Sequence, residues 1–436
     1  MISKNLKLSA LYLASRPPYP ARGGRERLIA QSIEFLAPEY DLHVVIFCRS
    51  DEKPDVASIL ALGCKSVKLV QLPGALEVFT NILTRRLHSL QENLFFSRRT
   101  RSAVRRLVSS GISVVIADML RTGQYCEDMD VPKVLDLDDL LSERYRQFLV
   151  NGCKQTVFGT FSKRTPKSLL VVEPLLRRLI LERERRMMAR REISTPNRFD
   201  VTFLTSETEA SQLRGDGTNA RVYANPQAAI ASAYDWRMTG HAEKLVQCFF
   251  IGNLHTSQNL ASLKFIVREI MPIVLDQGLD IHVHVVGEYD ARAIEAASGC
   301  NRVTMHGFIS DLSEVVQRCS IALLPIAEGT GVKTKILDAM AMGIPVITNG
   351  LGVEGLSVVH ERDLLIAETA REIADQIFRL NLDSVLGERL SEQAKSYVAR
   401  NHDPTLLRER FREHVFTALE VGRARLTYSS PGAVSR

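Results

Sequence analysis

Short, almost continuous apolar runs recur along this chain, each followed by a segment long enough for a helix. That alternation restricts the fold more than any other feature. "LKLSALYLA" (6–14), "LHVVIFCR" (42–49), "KSVKLVQL" (65–72), "SVVIADM" (113–119), "KVLDLDD" (133–139) and "VTFLTS" (201–206) form a first series. A strand that is apolar on both sides must be covered on both sides, the condition of a parallel sheet with crossover helices. After "VYANPQAAI" (222–230), whose Asn-Pro reads as a linker, the pattern restarts with "KLVQCFFIGNL" (244–254), "LDIHVHVVG" (279–287), "RVTMHGF" (302–308), "IALLPI" (321–326) and "IPVITN" (344–349). Helical segments such as 25–36, 261–275 and 370–380 bridge these runs. The expectation is an α/β chain with two successive open parallel-sheet units, residues 1–223 and 224–405, turning their strand ends toward a cleft.

Length and composition agree with this reading. At 436 residues the chain is too long for one ordinary core, and 45% hydrophobic with 24% charged residues is the balance of a globular protein. No apolar run reaches the roughly 18 residues of a membrane-spanning helix. The opening "MISKNLKLSALYLASRPPYPARGG" has the outline of a weak signal peptide, but its apolar core is short and runs into a turn-rich loop, which favours a first buried strand. Seven scattered cysteines (48, 64, 126, 153, 248, 300, 319) form no CxxC pair and no zinc spacing, so they read as reduced thiols of a cytoplasmic protein.

The net charge of +6 is concentrated in two stretches. Residues 163–191 carry ten Lys or Arg against three Glu, and residues 85–106 hold seven Arg. One reading is a solvated helix face laced with i,i+4 pairs. The other is a contact with anionic lipid head groups at the inner face of a membrane, or with a phosphate-bearing acceptor. Nucleic acid is not expected, because aromatic residues are hardly interleaved with the charges.

Ligands of open α/β sheets bind beyond the carboxyl ends of the strands. Two loops in such positions carry chemistry. "RPPYPARGGRER" (16–27) leaves the first strand, and Gly23 and Gly24 let backbone approach a ligand just before a helix begins. "EGTGVKTKILDAMAMGIPV" (328–346) follows "IALLPI" and offers Gly329, Thr330, Gly331, Val332, Lys333, Lys335 and Asp338 around a helix start. Backbone N–H groups and lysines suit phosphate oxygens, and a carboxylate suits the two hydroxyls of a ribose. The Walker loop is absent, and GxGxxG is absent from the first βα turn.

Gly-x-x-x-Lys-x-x-Asp-Ala-Met-Ala-x-Gly-x-Pro-Val at 331–346 resembles the nucleotide-sugar site of retaining GT-B glycosyltransferases of family 4. "PPYPARGG", "FFIGNLHTSQN" and "VTMHGFISDL" are similar to that family too, so the likeness touches both halves. It implies two Rossmann-like domains, a final helix (about 406–436) packing back on the first, and transfer of a sugar with retention from a nucleoside diphosphate sugar to a hydroxyl of a glycan or lipid-linked acceptor. It implies no metal and no cofactor. Asp338 stands where the family has the glutamate that binds the donor ribose, and Thr330 stands where it has a second glutamate, with Glu328 two residues out of register. The family's diphosphate-binding Arg and Lys have Asn253 and Gln258 near their places, so Lys333 and Lys335 are read as supplying the charge. The donor phosphates are expected near Gly23, Gly24, Lys333 and Lys335, and the base near Gly307 and Phe308.

The acceptor side is read from "ADMLRTGQY" (117–125) and "DLDD" (136–139). Asp118 is the candidate for the acceptor hydroxyl proton, with an N-cap role as its alternative. Arg121, Tyr125, Asp138 and Asp139 are candidates for lining that side. Carboxylates at i and i+2 also suit a divalent metal, and His282 with His284 invites the same thought, but no third ligand is near in sequence. Two other functions fit the same architecture: a nucleotide-sugar epimerase, and a non-catalytic scaffold that binds nucleotide sugars.

Overall fold

The computed structural model describes residues 7–21, 23–151, 167–215, 220–229, 236, 245–309, 311–329 and 331–428. The chain divides into two compact units, Met1–Pro226 with Arg408–Arg436, and Gln227–Leu407. The first holds seven strands: β1 Ser9–Ala14, β2 Asp41–Cys48, β3 Ser66–Gln71, β4 Val114–Asp118, β5 Lys133–Asp136, β6 Val201–Leu204 and β7 Val222–Ala224. They pair in parallel in the order β3-β2-β1-β4-β5-β6-β7. Ala10 to Ala14 of β1 are wholly buried, as a strand covered on both faces must be.

The second unit holds β8 Leu245–Ile251, β9 Asp280–Val286, β10 Val303–Gly307, β11 Ile321–Leu323, β12 Val346–Thr348 and β13 Leu365–Ile366. Their order is β10-β9-β8-β11-β12-β13, again parallel throughout. Each sheet therefore reverses its strand order once, between β1 and β4 in the first unit and between β8 and β11 in the second.

Three local features differ from the sequence reading. Residues 222–224, read as linker, form β7, because Thr202, Phe203 and Leu204 of β6 leave an edge that they complete. β13 is two residues long, too short to register as an apolar run. The helical segment read at 261–275 begins at Ser257 and passes through a π-turn at Ile266–Ile270, just before Pro272, whose ring nitrogen donates no hydrogen bond.

The last helix, Pro404–Tyr428, belongs to the first unit from Arg408 onward. Phe411 stacks on Phe203 at 5.3 Å and meets Phe35 edge-on at 5.9 Å, and His414 stacks on Tyr223 at 3.8 Å. Gly422 faces Pro132 so closely that a Cβ there would lie 2.8 Å from its Cα. No described helix is long and apolar enough to cross a membrane. The six described cysteines are free thiols, and Cys153 lies outside the described residues.

His282 and His284 form part of a polar row across β8, β9 and β10, with Gln247 on β8 and His306 on β10. His282 Nε2 lies 2.8 Å from Thr304 Oγ1, while His284 Nδ1 is 3.0 Å from His306 Nε2 and its Nε2 is 2.8 Å from Gln247 Oε1. Among the described residues no group of three or more His, Cys, Asp or Glu is arranged to hold a metal ion. Burial, reinforced by His282, His306 and Arg318, pushes His284 down to about 4. An unfolded histidine takes up its proton near pH 6.5, whereas folded His284 stays neutral until about pH 4. Its contribution to stability is thus fully present above pH 6.5 and is lost as the pH falls toward 4. The urea midpoint of the second unit is expected to be lower at pH 5 than at pH 7.5, and His284→Gln to shrink that difference. Equal midpoints at the two pH values would contradict this account.

Candidate functional site

The reversal in the second sheet separates the loops that follow β8 and β11, and the lysine-rich stretch lies in the second of these. Gly329 and Gly331 adopt φ of 119° and 75°, left-handed backbone that favours glycine. Gln258, on the helix that begins at Ser257 after β8, packs over Gly329, leaving its amide nitrogen 3.0 Å from where a Cβ would stand. Asn349 clamps the start of the second loop, accepting from Ile326 N at 3.0 Å and donating to Ile326 O at 2.9 Å. The loops after β8, β9 and β10 are laced together by backbone: Gly252 N donates to Val286 O and Gly287 N to Gly307 O. Gly287, at φ 139°, lies so close to Gly252 that a Cβ would sit 2.1 Å from its carbonyl oxygen.

The helix Thr334–Ala341 starts at this edge with Lys333 as its N-cap. Lys333 Nζ donates to Gly331 O and lies 3.5 Å from Glu354 Oε2. Lys335 turns inward: its ammonium sits 5.4 Å from the centre of the Phe250 ring and donates to Asn259 Oδ1. Burial, with the charge of Lys333 added, brings Lys335 down to about 8. Asp338, one turn further on, is 5% exposed. Val332 is half-buried, and Thr330 lies outside the described residues. Gly307 ends β10 with φ 75°, and Phe308 beside it is 76% exposed. Asn259, Glu354 and the Gly252–Gly287 contact escaped the sequence reading, since each takes part through a neighbour distant in the chain.

In the first unit, Gly23 is the extended N-cap of the helix Gly24–Leu36, and the residue that dominates is Arg25. Its guanidinium is buried against Asp118 at the end of β4, Asp136 at the end of β5 (3.3 Å) and Asp138 just beyond it (3.2 Å). Asp118 also accepts from Ser15 N at 2.6 Å. Burial opposes the charge on Asp118, but Arg25 and Ser15 hold its carboxyl below the usual range. Asp136 is pushed up to about 6 by burial, with Asp118 and Asp138 offsetting Arg25. Asp138 has φ 71°, unusual for an aspartate, and its carbonyl receives Thr205 N at 2.8 Å.

The N-cap alternative for Asp118 is not what the structure shows. The following helix, Leu120–Gly123, is capped by Met119 without a side-chain bond. Arg121 is buried, with its guanidinium 5.1 Å from the Phe95 ring. Tyr125 is a core anchor: its ring packs on Phe47 and Phe96, and its hydroxyl donates to Phe95 O and accepts from Ser97 N. Asp139 is buried and ion-paired with Arg144, and burial raises its pKa. Asp118, Asp136 and Asp138 are therefore brought together by Arg25, while Tyr125 serves the core.

Residues 246–383 match the family model described as Glycosyl transferases group 1. An uncharacterized 44.6 kDa protein in the cps region of Klebsiella pneumoniae is 28% identical over 163 residues, 35% of this chain and 42% of that protein. Glycosyltransferase 1 domain-containing protein 1 of Xenopus tropicalis is 31% identical over 102 residues, 23% of this chain and 29% of that protein. The chain thus spans less than half the length of either relative. Among solved structures, Anabaena Alr3699/HepE in complex with UDP and glucose superposes with a TM-score of 0.60 at 14% identity, covering 94% of this chain and 100% of that one. At that identity the likeness concerns the fold, which is GT-B with two Rossmann-like parallel-sheet units.

The buried Arg25 cluster makes a direct stability prediction. Arg25→Ala leaves Asp118 and Asp136 buried without their cation, and removing one partner of a buried ion pair costs about 3–5 kcal/mol. Asp118→Asn keeps two carboxylates on Arg25 and is expected to cost less. Chemical denaturation of the two variants tests the order, and equal losses would contradict the assignment of Arg25 as hub.

Proposed function

We propose that this chain is a hexosyltransferase that moves a sugar from a nucleoside diphosphate sugar to a hydroxyl of a glycan or lipid-linked acceptor, with retention at the anomeric carbon. The observation that carries the reading is the segment from Gly329 to Asp338, which lies within the family match. It combines two left-handed glycines, a helix start, the half-buried, inward-turned Lys335 and the buried Asp338. The HepE structures, named as complexes with UDP and with UDP-glucose, support a nucleotide-sugar donor. We place the reaction in polysaccharide or glycoconjugate biosynthesis.

The chemistry follows from charge. As the glycosidic bond breaks, the leaving diphosphate gathers negative charge, and preorganised cations with helix-start N–H groups stabilise it. Lys335 and the backbone after Gly331 take that role, Lys333 supports them, and Asp338 receives the ribose hydroxyls. Phe308 offers an exposed ring to the base. On the acceptor side Asp118 is fully enclosed, whereas the Asp138 side chain keeps 20% of its exposure. The acceptor hydroxyl is therefore assigned to Asp138, with Arg25 holding it in place.

Release of nucleoside diphosphate from a panel of UDP- and GDP-sugars, with the anomeric configuration of the product read by NMR, tests transfer and retention. Lys335→Ala is expected to lower turnover by about 10²–10³, the usual cost of losing one such donor. Asp338→Ala should weaken nucleotide binding about tenfold or more, the cost of a lost charge-assisted hydrogen bond. Unchanged nucleotide affinity in both folded variants would refute the site.

The state of Lys335 adds a pH signature. Its ammonium is favoured by a bound diphosphate but is half lost near pH 8 in the empty site. Affinity for UDP or GDP should fall from pH 7 to pH 9, with proton uptake on binding that calorimetry in two buffers detects. Lys335→Arg should remove the dependence, and a flat profile in the parent protein would place the diphosphate elsewhere.

A further inference from the structure

The helix Ala75–Thr84 of the first unit turns most of its apolar residues outward. Its inward side is Val78 and Asn81, and the Asn81 amide anchors it by donating to Asn93 O at 3.1 Å and Phe96 O at 2.7 Å. Leu76 (81% exposed), Phe79 (60%) and Leu83 (49%) recur at i, i+3 and i+7, one face of a helix, and Leu87 (81%) continues the line just beyond its end. Proteins rarely leave such a contiguous apolar ridge in water without a use for it.

The surroundings of the ridge are basic. Arg86 is exposed between Leu83 and Leu87, and Arg98 and Arg99 are exposed at the start of the helix Arg98–Ser109, two residues after the Phe96 that Asn81 holds. Arg183, on the helix Lys167–Ser194, donates to Arg86 O at 3.3 Å, which brings the 71% exposed Leu179 alongside one turn earlier. Glu77 is the one acidic residue on the ridge helix itself.

We propose that this ridge is a docking surface for an anionic lipid bilayer, with Leu76, Phe79, Leu83 and Leu87 entering the acyl boundary and Arg86, Arg98 and Arg99 lying at the phosphates. Apolar side chains standing free on a helix beside cations are the arrangement of interfacial helices. A second copy of the chain is the weaker occupant, because a two-fold interface would set this arginine rim against itself. The inference stands apart from sugar transfer, since binding is read without donor or acceptor.

Flotation of the full chain with vesicles of phosphatidylcholine alone and of phosphatidylcholine with phosphatidylglycerol at 7:3 tests it. The expected result is partition onto the anionic vesicles only, weakening from low to high salt. Phe79→Glu with Leu83→Glu should reduce that partition about tenfold or more, and Arg86→Glu should reduce it and flatten its salt dependence. These residues are exposed, so circular dichroism and melting temperature should stay unchanged and mark the variants as folded. Equal binding to neutral vesicles, no binding at all, or undiminished binding by the folded double variant would overturn the proposal. So would a dimer of the parent chain that Phe79→Glu dissociates, which would assign the ridge to a second copy.

Discussion

Each sheet reverses its strand order once, and that reversal is the constraint on which both candidate sites depend. Crossovers in parallel sheets keep one hand, so strands laid down in opposite directions from a starting strand send their following loops apart. The loops that leave the carboxyl ends of the neighbours β1 and β4, and of β8 and β11, therefore part from one another. Side chains bridge them. Ser15 N, just after β1, donates to Asp118 at the end of β4, and Ala327 N, after β11, donates to Ser262 Oγ on the helix that follows β8. The polar groups gathered at these edges are there because the topology leaves backbone donors in need of partners.

The two edges treat buried charge in opposite ways. Arg25 faces three carboxylates with one guanidinium, and the surplus acid shows in Asp136, which is pushed up to about 6. Such a cluster organises its surroundings and depends most on Arg25, whose loss leaves the carboxylates buried without a cation, whereas the loss of one carboxylate leaves two on the guanidinium. Lys335 has the neutral Asn259 amide and the face of Phe250 as its partners, and its ammonium is correspondingly weak. A cation held by neutral groups gains most from an incoming anion. That asymmetry, more than the count of lysines, argues for a phosphate ligand at the second edge.

Much of the fold was legible because parallel strands must be apolar on both sides, a signal carried by each run independently. β7 and β13 were lost because edge strands of three and two residues leave no such signature. The stretch from Gly329 to Asp338 was legible as a local motif, with glycines, lysines and an aspartate gathered about a helix start. Arg25 was not, since "GGRER" looks like an exposed helix start and its partners lie 93 and 111 residues away. Lys335 was recognised as a cation, but its inward-turned ammonium has its partner in Asn259, 76 residues earlier. Tyr125 was misjudged for the same reason: its place in the sequence follows β4, while its place in space is fixed by Phe47, Phe95 and Phe96.

Charge density along the sequence also proved a poor guide to surface charge. Of the arginines in 85–106, Arg85 lies over the Phe96 ring at 3.6 Å and bonds Gln124, and Arg101 and Arg105 share Asp128. In the later stretch Arg185 and Arg186 share Glu182, and Arg191 is drawn inward between Glu92 and Glu127. The reading as a solvated, ion-paired face therefore describes many of these residues. Helix pairs and buried bridges absorb many of the charges, as expected of a solvated face. The remaining exposed arginines gain meaning only from the apolar ridge beside them, which no count of charges would reveal. A basic segment becomes a candidate lipid surface when its residual charges border exposed Leu and Phe side chains, and in this chain that condition is met around Leu83 and Arg86.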